Sequence, residues 1–104
     1  MIVYEVNITV DTKIADKYYT WLLDHVQQML RMEQFLSAEV LQQTDQADAE
    51  KVTFTTIYKL HSDEDLQYYF THHAKKMRAA GTAAFPNQFT ASRRIFAVKE
   101  TFNV

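Results

Sequence analysis

Apolar and polar residues alternate over the first ten positions, and then the period changes. Ile2, Tyr4, Val6, Ile8 and Val10 fall on one face, while Val3, Glu5, Asn7 and Thr9 fall on the other. A period of two with β-branched residues predicts a strand with one face in a core. Asp11-Thr12 offers an N-cap. From Ile14 onward the apolar positions Tyr18, Trp21, Leu22, Val26, Met29 and Leu30 recur at helical spacing, with His25 inside the same stripe. That pattern predicts a helix from Lys13 to Met32.

A weaker alternation predicts a second strand from Phe35 to Gln43, and the polar run 44–50 reads as a hairpin loop. A third strand, Lys51 to Leu60, sets Val52, Phe54, Thr56, Tyr58 and Leu60 on one face. Ser62 and Asp65 have the spacing of a capping box. The helix they open carries Leu66, Tyr69, Phe70, His73, Ala74 and Met77 on one stripe, with His72 rotated toward solvent. Gly81, the only glycine, suits a left-handed residue just past the helix end. Pro86, the only proline, then precedes a last strand from Phe89 to Phe102. The order β-α-β-β-α-β predicts an α+β, ferredoxin-like fold: an antiparallel sheet of order 4-1-3-2 with both helices on one face. At 104 residues, positions 1–104 are expected to form one such domain.

Composition narrows the function classes. The net charge of −2 leaves no basic stripe for general nucleic-acid binding. RNA binding through stacked aromatics would require turning the Tyr4, Phe54 and Tyr58 face outward. That would bury Glu5, Asn7 and Lys59 under the helices. The absence of cysteine removes disulfides, thiolate nucleophiles and sulfur metal sites. One glycine cannot build a phosphate-binding loop or a nucleophile elbow. Histidines at metal-ligand spacing are lacking, so neither a metal nor a cofactor is expected. No apolar run approaches the ~20 residues of a membrane span, and a cytoplasmic protein without membrane partners is expected.

Two surfaces carry candidate function. On the sheet face away from the helices, Val3, Ile57, Phe96 and Val98 would lie among Glu5 and Arg94. That mix is too apolar for easy solvation, and a second copy of the chain is the natural cover, with Glu5 and Arg94 paired across strands one and four. The alternative is an ordinary one-sided sheet with scattered apolar residues. On the helix side, His25 and His73 sit on the two apolar stripes, Arg93 shares the inward phase of the last strand, and Tyr4, Trp21 and Tyr58 supply apolar walls with polar tips. Arg78 lies near the rim. Because Arg93 and Arg94 point to opposite faces, only Arg93 is assigned to this pocket. Imidazoles and a guanidinium beside aromatics suit a small anionic, enolisable or aromatic ligand, with His25 or His73 as proton acceptor or donor. The alternative is a buried polar network that fixes the fold of a structural or interaction homodimer without chemistry.

Four collinear motifs carry a resemblance: the opening MIVYEV, WLxxHV (Trp21, Leu22, His25, Val26), HAxxMR (His73, Ala74, Met77, Arg78) and FPxxFxASRRI (Phe85 to Ile95). Together they resemble a bacterial family called domain of unknown function 4286, over nearly the whole chain. The resemblance implies membership of the dimeric α/β-barrel superfamily, in which two ferredoxin-like protomers join their sheets. That superfamily includes antibiotic-biosynthesis-type monooxygenases, haem-degrading enzymes and small isomerases. A monooxygenase- or isomerase-like activity is the implied function, and haem binding or degradation a further one. For the haem reading, Asn7 and His73 occupy regions where such proteins place functional residues, but the tryptophan expected on the second helix is missing. The family supplies no activity to transfer, since fold does not imply function.

Overall fold

The structure, a computed structural model, describes residues 1–104. Strand β1 (Ile2–Asp11) leads through a 3-10 turn, Thr12–Ile14, into helix α1 (Ala15–Met29). Strands β2 (Ser37–Gln42) and β3 (Lys51–Leu60) follow, then helices α2 (Asp63–His72) and α3 (Ala74–Ala84), and finally strand β4 (Phe89–Ala97). The sheet order is β2-β3-β1-β4, every pair antiparallel, which is the expected ferredoxin-like arrangement. No helix is long and apolar enough to cross a membrane.

Strand phase holds throughout. Tyr4 pairs with Tyr58 and Ile8 with Phe54, so one face of β1 and β3 forms the core under the helices. Tyr18, Leu22, Val26 and Met29 of α1 close that core, as the stripe predicts. Phe54 stacks on Tyr18 with ring centroids 6.0 Å apart, and Tyr58 meets Phe35 at 5.2 Å. Phe54 therefore packs on α1, and Tyr58 on the connection between α1 and β2, both on the helix side of the sheet.

The ends of elements differ from expectation, each for a local reason. Asp11 caps no helix; it remains in β1 and its carboxylate pairs with Lys51 Nζ at 2.6 Å. Helix α1 stops at Met29 because the next amides bond three residues back, Arg31 to the Gln28 carbonyl and Met32 to the Met29 carbonyl. At α2, Ser62 Oγ accepts the Asp65 N–H at 3.2 Å, the serine half of the expected box. The second helical stretch is two helices, not one. His73 leaves helical geometry at φ −130°, although its N–H still bonds the Tyr69 carbonyl and its carbonyl accepts the Met77 N–H. Gly81 is not a C′ residue: it lies inside α3 with negative φ, and the left-handed corner is made by Asn87 at φ 57°. Strand β4 ends at Ala97 rather than Phe102 because its last partner, Ile2, is the first residue of β1. Beyond it, the Val98 N–H reaches only the Met1 carbonyl.

Candidate functional site

A cavity of about 60 Å³ lies between the sheet and the helices. Each wall follows from a pattern already described. The inward phase of β1 supplies Tyr4, Val6 and Ile8; β3 supplies Thr56 and Tyr58; α1 supplies Tyr18, Trp21, Leu22, His25 and Met29. Tyr69 comes from α2, Met77, Arg78 and Gly81 from α3, and Phe89 and Arg93 from β4. At about 10–15 Å³ per water, the space holds on the order of four to six waters, or a ligand of similar size.

The charged side chains at these walls, Arg78 and Arg93, are both cations. Arg78 Nη2 donates to Tyr4 Oη at 3.2 Å, and its guanidinium lies 5.7 Å from the Phe70 ring centroid. Arg93 pairs in the sheet with Val6 and contributes the second guanidinium. Both arginines stay solvent-exposed, so they stand at the mouth and not in the depth of the cavity. Burial pushes the Tyr18, Tyr58 and Tyr69 hydroxyls well above the ordinary tyrosine range, which keeps them protonated. Arg78 and Arg93 both act electrostatically on Tyr69, so the two cations converge on one region. No aspartate or glutamate lines the cavity.

His25 stacks on Trp21 with ring centroids 4.6 Å apart and planes at 16°. Burial lowers its pKa below the ordinary histidine value, and Asp24 offsets this only in part. The ring is therefore neutral at pH 7 and can accept a proton.

Of the sequence candidates, Tyr4, Trp21, His25, Tyr58, Arg78 and Arg93 come together at this cavity. His73 does not: it sits at the break between α2 and α3, half-buried, with its ring 6.0 Å from Tyr68 and 6.4 Å from His72. The stripe that carried it is interrupted at that very residue, so helical phase no longer predicts its direction. The two histidines thus do not share the cavity. Sequence reasoning passed over Tyr18, Tyr69, Met77, Gly81 and Phe89. Tyr18, Tyr69 and Met77 were legible only as core stripe, and Gly81 only as a helix end.

On the opposite face, Arg94 brackets Glu5 with Nε at 2.6 Å from Oε2 and Nη2 at 3.2 Å from Oε1. Asn7 Nδ2 donates to the same carboxylate at 3.0 Å and its Oδ1 accepts from Thr55 Oγ1 at 2.6 Å. The Arg94 hydrogen bonds, and then Asn7, hold Glu5 below the usual carboxylate range, although the side chain is only 11% exposed. The guanidinium of Arg94 also lies 5.2 Å from the Phe96 ring centroid. Asn7 thus serves this outer network, on the face away from the cavity.

Comparison with solved structures gives proteins of the same fold. A candidate antibiotic biosynthesis monooxygenase from Deinococcus radiodurans matches with a TM-score of 0.76 at 10% identity, covering 100% of this chain and 98% of that one. SnoaB, a cofactor-independent oxygenase from Streptomyces nogalater, matches at 0.69 and 13%, covering 96% and 95%. An arginine-to-serine variant of MhuD with two manganese protoporphyrin IX molecules per active site matches at 0.67 and 19%, covering 100% of both chains. At such identities the likeness is one of fold. No curated protein matches the sequence. Residues 1–99 match the family described as Domain of unknown function (DUF4286).

Proposed function

Starting from the fact that the chain belongs to the DUF4286 family, for which no activity is defined, we propose that the protein binds a small anionic molecule in the cavity between helices and sheet and moves a proton on it. The observation that carries this reading is the charge balance of the walls: two guanidiniums, protonated phenols and a neutral imidazole, with no acid beside them. An anion entering such a site gains charge-assisted hydrogen bonds from groups that lack a carboxylate partner.

His25 accepts the proton from a carbon next to the ligand's anionic or carbonyl group. The guanidiniums of Arg78 and Arg93 hold the negative charge that develops on oxygen. Return of the proton to another carbon is an isomerisation. Reaction of the same carbanion with dioxygen is a cofactor-independent oxygenation, the chemistry named for SnoaB. A porphyrin is disfavoured by space, since drug-sized ligands occupy clefts of about 300–1,000 Å³. A screen of small anions by thermal shift tests the reading, because a ligand of the folded state alone must raise Tm.

The functional unit in this reading is a homodimer joined through the outer sheet face. Val3 and Ile57 lie there half-buried, with Phe96 42% and Val98 41% exposed beside the Glu5–Arg94 pair. A partner sheet removes this apolar surface from water and leaves the cavity mouths on the far side.

A further inference from the structure

The only glycine of the chain lies in the interior of α3 with ordinary negative φ. Its backbone therefore does not require glycine, and an interior glycine weakens a helix relative to alanine. Steric exclusion does not require it either. A Cβ at position 81 would stand 3.4 Å from Trp21 Cη2 and 3.8 Å from Phe89 Cζ, ordinary contact distances. What a side chain there would remove is space, because Gly81 lines the cavity between those two rings.

The cavity has two ends. Tyr4 and Arg93 lie at the level where β1 residues 4 and 6 pair with β4 residues 95 and 93, and Arg78 bonds Tyr4 at this end. Gly81 is one helical turn further along α3, beside Phe89, which pairs with Val10 four residues down the strand from Val6. Cations thus stand at one end and an aromatic wall with a missing side chain at the other. His25 stacks on Trp21 and lies one turn of α1 before Met29, whose Sδ accepts from the hydroxyl of Tyr69, which packs on Tyr4. The imidazole thus stands between the two ends.

Resting on the pocket reading above, we propose that the ligand is a short-chain carboxylate, its head held by Arg78 and Arg93 and its apolar end against Gly81, which sets the chain length accepted. A planar carboxylate matches the forked donors of a guanidinium. The small volume limits the molecule to a few carbons beyond its head. Gly81 is then a specificity-determining residue whose bare Cα makes the floor on which the chain ends.

Trp21 is the chain's only tryptophan and lines the cavity, so its fluorescence reports occupancy. The probes are acetate, butyrate, hexanoate, butyramide, butylammonium and inorganic phosphate, titrated against the full chain. Butyrate is expected to shift Trp21 emission saturably, with butyramide and butylammonium inert. Arg93→Gln should weaken butyrate by about tenfold, the value of one lost charge-assisted bond. Gly81→Ala should weaken hexanoate or butyrate, whichever is the longest that binds, more than acetate, while Phe89→Leu, which opens the same wall, should favour the longer chain. Equal binding of butyramide or butylammonium, or tighter binding of phosphate, overturns the carboxylate assignment but leaves a pocket. An unchanged length series in both wall variants overturns the role of Gly81. No saturable Trp21 response to any of the six probes defeats the pocket reading itself.

Discussion

Arg78 Nη2 and Tyr4 Oη are 3.2 Å apart and join α3 to β1 across 74 residues of sequence. The Tyr4 ring is buried in an aromatic cluster, 6.0 Å from Tyr58, 6.0 Å from Tyr69 and 5.4 Å from Phe70. Its hydroxyl is thereby fixed, and it fixes one nitrogen of the guanidinium at the cavity mouth. Tyr4→Phe keeps the ring and removes the acceptor. The variant should lose about 0.5–1.5 kcal/mol in urea unfolding, the net value of one hydrogen bond. Its response to small anions should fall as well, since Arg78 is no longer oriented.

His25 makes stability depend on pH in a defined direction. Burial lowers its pKa in the folded chain below the ordinary value of 6.5, so the unfolded state takes up the proton first. The contribution is complete above about pH 6.5, declines as pH falls below that value, and levels off once pH is under the folded pKa. His25→Leu should flatten this part of the stability profile without lowering stability at pH 8. Urea unfolding of both proteins between pH 8 and pH 5 checks it. A variant with the same slope as the parent assigns the titration elsewhere.

His73 offers a contrasting control. It sits at the helix break and outside the cavity. His73→Leu should therefore leave the response to small anions unchanged, while His25→Leu, which replaces one wall of the cavity, should weaken it. Ligand titrations of the two variants side by side separate the residues.

Gly81→Ala should raise stability, by up to about 1 kcal/mol, because alanine is the better helix former and the added methyl finds ordinary contacts. A domain of this size would show a rise in Tm of about 4–8 °C per kcal/mol. A gain in stability together with weakened ligand response is the pattern of a position kept open for binding.

The strands were legible because their period of two is strict: Tyr4, Ile8, Phe54 and Tyr58 occupy the core face that alternation assigned them. The same alternation separated Arg93, at the cavity, from Arg94, on the outer face with Glu5. The second helix was less legible. Leu66 and Tyr69 are buried as their stripe requires, but no proline or glycine marks the break at His73, so a continuous stripe aimed that residue at the wrong surface. Gly81 was misread by the same kind of local rule. Glycine near a helix end usually adopts positive φ, whereas here Asn87 makes the left-handed corner and Gly81 answers to Trp21 and Phe89, which are distant in sequence.

The outer face gives a prediction about assembly. Wild-type protein should scatter light as twice the 12.2 kDa chain at micromolar concentration. Arg94→Glu sets a second carboxylate against Glu5, whose carboxylate Arg94 now brackets, and also removes the guanidinium beside Phe96. The variant should shift toward the monomer mass. A wild-type protein already monomeric under these conditions would mean that the apolar outer face needs no second copy.

The claim that the cavity is a binding site is tested most directly by locating a bound molecule. Two-dimensional NMR of the isotope-labelled chain, titrated with butyrate, reads every residue at once. Saturable shifts should concentrate at Val6, Leu22, His25, Met77, Gly81 and Arg93, the walls of the cavity, with residues 43–50 of the hairpin loop unmoved. Shifts that never saturate, or that scatter over exposed lysines and arginines away from the cavity, would contradict it.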